Sequence, residues 1–192
     1  MAAILDRIRD GRLDAVAAIV IGNDPAAPGL DMARERGVEA LVVDHRESSG
    51  REAHDRRMAE ALDARDVGLA CLAGYMRILS PWFVRHYGGR ILNIHPSLLP
   101  AFPGRQAARD ALAHGVKVSG CTVHLVDEGI DTGPILAQAV VPVLDDDSVG
   151  SLSARILEQE HRLYSEAIGL FFKDPIRLVG RRAFVDSPRR SS

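Results

Sequence analysis

The sequence of 192 residues has few cysteines, no long apolar run and almost no net charge. Its two cysteines, Cys71 and Cys121, lack CxxC spacing, so we expect inert thiols in a reducing cytosol and no disulfide or metal site. A net charge of −2 gives no field that would gather nucleic acid. No segment has the unbroken apolar length of a membrane span. These absences predict a cytoplasmic protein that acts without nucleic-acid, membrane or metal partners.

With 46% hydrophobic residues, the chain can bury a full core, and we expect a single domain over residues 1–192. Charges at Asp6, Arg7 and Arg9 give the opening segment a polar face, which is not expected of a signal peptide. Residues 186–192 combine a proline with arginines and serines, so this segment is expected to be a flexible tail.

Short apolar runs alternate with amphipathic ones, which predicts an α/β fold with a doubly wound, mostly parallel sheet. Strands are predicted at residues 15–21, 40–43, 67–73, 90–95, 117–126 and 134–143. Helices are predicted at residues 2–9, 29–36, 51–64, 106–114 and 148–172. No helix separates the last two strands, so their pairing is open to an antiparallel arrangement at the sheet edge.

One part of a doubly wound fold is not found in the sequence. Such folds begin with a central strand and a glycine-rich turn that binds phosphate at the next helix. The chain instead opens on a helix, and the turn at residues 22–25 lacks the glycine spacing of a phosphate loop. We therefore expect the first strand and its loop to be missing from this chain, as after a start site placed too late.

Asn93 and His95 form the first candidate site. They are two residues apart in a predicted strand, so their side chains leave the same face. Pro96 ends the strand directly after His95, at a carboxyl end where open α/β sheets bind ligands. An amide and an imidazole at this place can stabilise an oxyanion and move protons, as acyl transfer to an amine requires.

Asp131 is the candidate carboxylate that would hold His95 in its charged form. It lies between Gly129 and Gly133, which allow a tight turn close to a ligand. Alone, Asp127, Glu128 and Asp131 read as a plain acidic turn; beside the Asn93 and His95 pair, the catalytic interpretation is favoured.

Three further positions leave alternatives open. Glu160 falls inside the apolar stripe of the last helix, where it would pair with Arg77 or Arg155 or bind a ligand. Arg51 at a helix start is either an exposed charge or an anion contact. The segment Met76, Arg77, Ile78 and Leu79 is either plain core or the lining of a flat heteroaromatic pocket.

Four segments, taken together and in order, resemble the phosphoribosylglycinamide formyltransferase family of purine synthesis. They are Ala-Gly-Tyr-Met-Arg-Ile-Leu-Ser-Pro at residues 73–81, Leu-Asn-Ile-His-Pro-Ser-Leu-Leu-Pro at residues 92–100, residues 127–134, and Gln159-Glu160-His161-x-x-Tyr164. The resemblance implies formyl transfer from 10-formyltetrahydrofolate to the amine of 5′-phosphoribosylglycinamide, by a monomer or homodimer with a Rossmann-like fold and no metal. It covers nearly the whole chain.

The resemblance also implies residue roles. Asn93, His95 and Asp131 match the family's catalytic trio. The residues matching its folate contacts are Arg51, Met76, Arg77, Ile78, Leu79, Asn93, Asp127, Glu128, Gly129, Ile130 and Asp131. Those matching its ribotide contacts are Leu157, Glu158, Gln159 and Glu160.

Departures and relatives define the alternatives. The family's phosphate loop has no counterpart here, and Gln106 stands where a histidine is usual. Methionyl-tRNA formyltransferase and formyltetrahydrofolate deformylase share the Asn-x-His and Asp core, but each normally carries an added domain. The alternative functions are therefore another 10-formyltetrahydrofolate-using hydrolase or transferase, or a folate-binding relative that is inactive without a phosphate loop.

Overall fold

The computed structural model describes residues 1–185, and the predicted tail of residues 186–192 lies outside them. The helices are α1 (Ala2–Arg9), α2 (Pro28–Glu35), α3 (Arg51–Asp63), α4 (Pro81–His86), α5 (Ala107–His114) and α6 (Val149–Lys173). The strands are β1 (Val20–Gly22), β2 (Ala40–Val42), β3 (Ala70–Leu72), β4 (Ile91–His95), β5 (Val118–Leu125), β6 (Ile135–Pro142), β7 (Ile176–Val179) and β8 (Arg182–Val185). Within the described part of the chain, no helix is both long and apolar enough to cross a membrane.

The chain divides into two compact units, of which the first is Met1–Ile91. Here β1 and β2 pair in parallel, with Val20 opposite Ala40. The apolar faces of the surrounding helices supply the buried side chains Leu5, Leu30, Ala33, Met58, Ala59, Phe83 and Val84. This helix and strand alternation is the predicted βαβα pattern.

The second unit is Leu92–Ser192, and its strands follow the order β4, β5, β6, β8, β7. β5 runs antiparallel to both β4 and β6, while β8 joins β6 in parallel, so the sheet is mixed. α6 packs on β5 and β6 through the buried side chains of Leu152, Ile156, Leu163 and Ala167. The Tyr164 hydroxyl donates to the Leu92 carbonyl at 2.8 Å, which ties α6 to the start of the sheet.

The predicted elements are present, most of them with ends shifted by about one residue, but β1 begins at Val20 instead of residue 15 and β3 at Ala70 instead of residue 67. α1 has the predicted bounds, and α6 begins after Ser148, whose hydroxyl accepts a hydrogen bond from the Ser151 amide at 3.1 Å. The predicted antiparallel pairing of the strands now called β5 and β6 is confirmed, but their predicted place at the sheet edge is wrong, because β8 and β7 continue the sheet beyond β6. The single-domain organisation of residues 1–192 stays a prediction.

Three elements were not predicted. α4 begins at Pro81 after Ser80, whose side chain accepts from the Phe83 amide at 3.3 Å. A serine cap followed by proline is a helix-start signal that the apolar pattern of this short segment does not reveal. β7 and β8 form a hairpin whose turn includes Gly180 at φ +60°, and the exposed side chains of β7 give it little amphipathic pattern.

Candidate active site

The sheet of the second unit places Asn93 and His95 on one face of β4. In the antiparallel register, Asn93 lies opposite His124 of β5, and His95 lies opposite Thr122. His95 is only 4% exposed and is the last residue of the strand, as predicted. The strand end therefore carries a half-buried amide, a buried imidazole and a second imidazole from the neighbouring strand.

Both ring nitrogens of His95 face acceptors. Nε2 lies 2.9 Å from the Phe102 carbonyl oxygen, and Nδ1 lies 3.3 Å from Asp131 Oδ2. The structure thus brings the His95 ring and the Asp131 carboxyl group together.

Asp131 is fixed from three sides. Its backbone has φ +53°, a left-handed conformation that is rare for residues other than glycine, asparagine and aspartate. Oδ2 accepts a 2.8 Å hydrogen bond from the Gly104 amide, and Oδ1 lies 3.7 Å from His124 Nε2. The His124 ring and the Gly104 amide hold the pKa of Asp131 below its usual value, while partial burial opposes them. Asp131 therefore stands in the cluster as a carboxylate.

His124 is the residue of this cluster that the sequence did not reveal. Its Nδ1 donates to the Leu125 carbonyl at 2.9 Å, and its Nε2 lies 3.2 Å from Asn93 Nδ2. His124 thereby orients the Asn93 amide. The sequence shows that His124 lies two residues after Thr122 in a predicted strand. Its contact with Asn93 could not be predicted, because that contact depends on the pairing register of β4 and β5.

The loop before Asp131 is an internally bonded turn. Asp127 Oδ1 accepts from the Gly129 amide at 3.1 Å and from the Thr132 hydroxyl at 2.6 Å. At Gly133, a Cβ would lie 1.7 Å from the Leu125 carbonyl oxygen, so only glycine fits. The predicted folate residues Glu128, Gly129 and Ile130 are all exposed on this loop.

The other predicted folate residues belong to the first unit. Arg51 is the first residue of α3 and is exposed. Met76 and Ile78 are 60% and 54% exposed, whereas Leu79 is buried and Arg77 is half-buried. The plain-core interpretation of this segment is thus wrong for Met76 and Ile78, whose side chains face outward.

Glu160 lies half-buried on α6, as its place in the apolar stripe predicted. Loss of hydration raises the pKa of its carboxyl to about 7. The predicted partner Arg155 instead pairs with Asp147 at 2.8 Å, and no hydrogen bond to the Glu160 side chain is found among residues 1–185. The structure therefore does not show the alternative of a pair with Arg155, and the ligand alternative stays a prediction.

The neighbours of Glu160 are more exposed. Leu157 and Glu158 face solvent, and Gln159 accepts a 3.2 Å hydrogen bond from Arg162.

Gln106, where the family usually has histidine, is the exposed N-cap residue of α5 and accepts from Arg109 at 3.0 Å. Burial raises the pKa of the Cys121 thiol to about 12, so this cysteine remains a thiol.

The chain resembles known proteins over most of its length. The formyl transferase family model matches residues 1–168. Phosphoribosylglycinamide formyltransferase of Escherichia coli (strain K12) is 38% identical over 187 residues, which cover 97% of this chain and 88% of that protein. The trifunctional purine biosynthetic protein adenosine-3 of Drosophila melanogaster is 46% identical over 170 residues, but the match spans 13% of its length.

A solved structure extends the similarity to the fold. Glycinamide ribonucleotide transformylase 1 from Symbiobacterium toebii matches with a TM-score of 0.93 and 52% identity, covering 96% of this chain and 87% of that one. The predicted Rossmann-like α/β fold is thereby confirmed.

Proposed function

This chain belongs to the formyl transferase family, and from that premise we propose that it transfers a formyl group from 10-formyltetrahydrofolate to the amine of 5′-phosphoribosylglycinamide. The names of the Escherichia coli and Symbiobacterium toebii relatives support the acceptor. The observation that carries the proposal is the cluster of Asn93, His95, His124 and Asp131 around one strand end. Purine synthesis in the cytoplasm, with small-molecule partners, is part of the proposal.

Asn93 would stabilise the oxyanion of the tetrahedral intermediate. One N–H of its amide is directed at His124 Nε2, which leaves the second N–H for an oxygen of the substrate. Because His124 already fixes the amide, little reorganisation is needed when negative charge develops. His124 is therefore proposed as a positioning residue for Asn93.

His95 and Asp131 would handle the protons. The attacking amine loses a proton and the leaving nitrogen gains one, so a group that holds an exchangeable proton lowers the barrier. His95 Nδ1 lies 3.3 Å from Asp131 Oδ2, where the two groups would exchange a proton, and the Phe102 carbonyl fixes the ring orientation through Nε2. No nucleophile from the protein is required, because the substrate amine attacks.

The binding residues complete the proposal. Folate would contact Arg51, Met76, Arg77, Ile78, Leu79, Asn93 and residues 127–131, and the ribotide would contact Leu157, Glu158, Gln159 and Glu160. The half-buried carboxyl of Glu160, whose pKa is raised by burial, supports a contact with a polar group of the ribotide. Exposed Met76 and Ile78 support an apolar contact with a flat ring.

The decisive test compares formyl transfer by the parent chain with that of Asn93→Ala, His95→Ala and Asp131→Asn. We expect kcat to fall by about 100-fold or more in each variant, because each group acts on the transition state. Binding of tetrahydrofolate, measured by calorimetry, should stay within about threefold for His95→Ala, which is not one of the proposed folate contacts.

His86→Ala is the matched control, because this exposed histidine of the first unit is outside the proposed machinery. It should retain the parent kcat. Substantial turnover by His95→Ala or Asp131→Asn would remove that residue from the proposed role, and absence of turnover in the parent chain would overturn the proposed function.

A further inference from the structure

The first unit contains a buried pair of ionisable side chains for which the proposed chemistry has no use. His54 and Asp55 of α3 are each 1% exposed, and His54 Nδ1 lies 3.2 Å from Asp55 Oδ1. His54 Nε2 donates to the Val43 carbonyl at 2.9 Å, directly after β2. Burying two ionisable groups is costly, and a pair of this kind is weak evidence for stability. A positioning role therefore has to be considered.

The second oxygen of Asp55 reaches the segment that carries the predicted folate residues. Asp55 Oδ2 accepts a 2.6 Å hydrogen bond from the amide of Ser80, which is itself 2% exposed. Ser80 follows Leu79 and caps α4, so the carboxylate fixes the point where residues 74–79 join that helix. Tyr75, at the other end of the segment, lies near the same carboxylate, and burial raises its pKa to about 12 with the Asp55 charge as the next cause.

Between these anchors the backbone is unpaired. Gly74 starts the segment at φ +73°, and no backbone hydrogen bond from residues 74–79 is found within residues 1–185. Peptide groups of this segment are thus free to bind a ligand, while Met76 and Ile78 extend outward. A segment without internal hydrogen bonds needs an external anchor to hold one conformation.

We propose that Asp55, oriented by His54, is a positioning residue that holds residues 74–80 in the conformation that binds the folate ring. The inference rests on the proposed function, since it takes residues 76–79 as folate contacts. Asp55 itself touches no substrate. It sets the geometry of the segment through the Ser80 amide, and His54 keeps the carboxylate directed at that amide by holding its other oxygen.

The test compares Asp55→Ala with Asp55→Asn. An asparagine oxygen can still accept from Ser80, and its amide can donate to His54 Nδ1 while Nε2 continues to donate to Val43. We expect Asp55→Ala to weaken tetrahydrofolate binding by about tenfold or more and to raise the KM for 10-formyltetrahydrofolate similarly. Asp55→Asn should restore both to within about threefold, and the KM for the ribotide should change little in either variant.

A second pair of variants keeps the proposal testable if Asp55→Ala fails to fold. Ser80 has φ −69°, which proline adopts, so Ser80→Pro removes the N–H donor, whereas Ser80→Ala removes the hydroxyl cap and keeps the N–H. Folate binding should be weaker in Ser80→Pro than in Ser80→Ala by about tenfold.

Folded variants that bind tetrahydrofolate like the parent, or that lose affinity for folate and ribotide equally, would overturn the positioning role. Because tetrahydrofolate binding is measured without turnover, this failure is distinguishable from failure of the proposed function. The latter would appear as absence of formyl transfer in the parent chain.

Discussion

At the scale of single residues, Glu160 is a carboxyl group whose protonation changes near neutral pH. Desolvation raises the pKa of its carboxyl from 4.5 to about 7 in the folded chain. Between these values the folded state binds more protons than the unfolded state, so stability falls as pH rises. The contribution of protonated Glu160 to the stability of the folded chain is fully present below about pH 4.5 and is lost as pH passes 7. Glu160 is then a half-buried anion in the ligand-free protein.

We predict that Glu160→Gln stabilises the ligand-free protein at pH 8 but not at pH 5. The gain should be about 1 to 3 kcal/mol, because the amide removes the cost of an anion in a poorly hydrated place. Thermal unfolding at both pH values would show a Tm difference of roughly 2 to 10 °C that appears only at pH 8. Glu158→Gln, an exposed neighbour on the same helix, is the control and should show no such pH dependence. A pH-independent difference for Glu160→Gln would contradict the prediction.

The residue scale also shows what the sequence could and could not reveal. The same-face placement of Asn93 and His95 followed from their spacing in one strand, and the buried carboxylate at Glu160 followed from helical periodicity. His124 could not be found in this way, because its contact with Asn93 spans 31 positions and depends on the register of two strands. The loop contains three acidic residues, Asp127, Glu128 and Asp131. The left-handed backbone at Asp131 decides which of them reaches His95.

At the scale of elements, the loop of residues 96–104 connects the site to the sheet. It supplies the Phe102 carbonyl to His95 and the Gly104 amide to Asp131. The Thr122 hydroxyl of β5 holds the loop, since it donates to the Ser97 carbonyl at 2.7 Å and accepts from the Leu99 amide at 3.0 Å. Gln138 of β6 adds hydrogen bonds of 3.0 Å to the Leu99 carbonyl and to the same hydroxyl. The hydroxyl of Thr122 therefore uses its full hydrogen-bonding capacity.

We predict that Thr122→Val lowers the free energy of unfolding by about 2 to 4 kcal/mol, because it leaves buried groups of the loop unpaired. It should also lower kcat by about tenfold or more, since the loop orients His95 and Asp131. Thr122→Ser keeps the hydroxyl and should lose only about 1 kcal/mol for the missing methyl group. Urea unfolding and formyl-transfer assays would measure both effects.

Ser119 offers the matched control on the same strand. Its hydroxyl is buried and has no hydrogen-bond partner among the described residues, so Ser119→Ala should be neutral or slightly stabilising. An equal loss of stability in Thr122→Val and Ser119→Ala would show that the loop contacts contribute nothing.

Elements with strong periodicity were predicted best. α6 and the pair β5 and β6 have long apolar patterns, and their ends were predicted to within about one residue. β1 was predicted to start at residue 15 but begins at Val20, because an apolar run does not show where pairing with a neighbour starts. The antiparallel pairing of β4 with β5 was also hidden, since the intervening α5 resembles a parallel crossover.

At the scale of the whole molecule, the proposed catalytic cluster could serve two reactions. In the proposed mechanism, Asn93, His95 and Asp131 would stabilise an oxyanion and move protons whether an amine or a water attacks the formyl group. The relatives of the family that hydrolyse formyltetrahydrofolate were one of the alternatives that the resemblance left open. Which reaction prevails depends on whether the bound ribotide places its amine at the formyl carbon before water does.

We predict that consumption of 10-formyltetrahydrofolate depends on 5′-phosphoribosylglycinamide. A bound amine has a large effective concentration at the reacting carbon, so the ribotide should accelerate deformylation by at least ~100-fold, with one formylated ribotide formed per folate consumed. Folate absorbance and released formate would be followed together, with Asp131→Asn as the inactive control.

Formate release at one rate with and without ribotide would instead establish a hydrolase. Tetrahydrofolate binding without any deformylation would leave only a folate-binding protein, because a site that holds the donor but not the amine cannot complete the transfer.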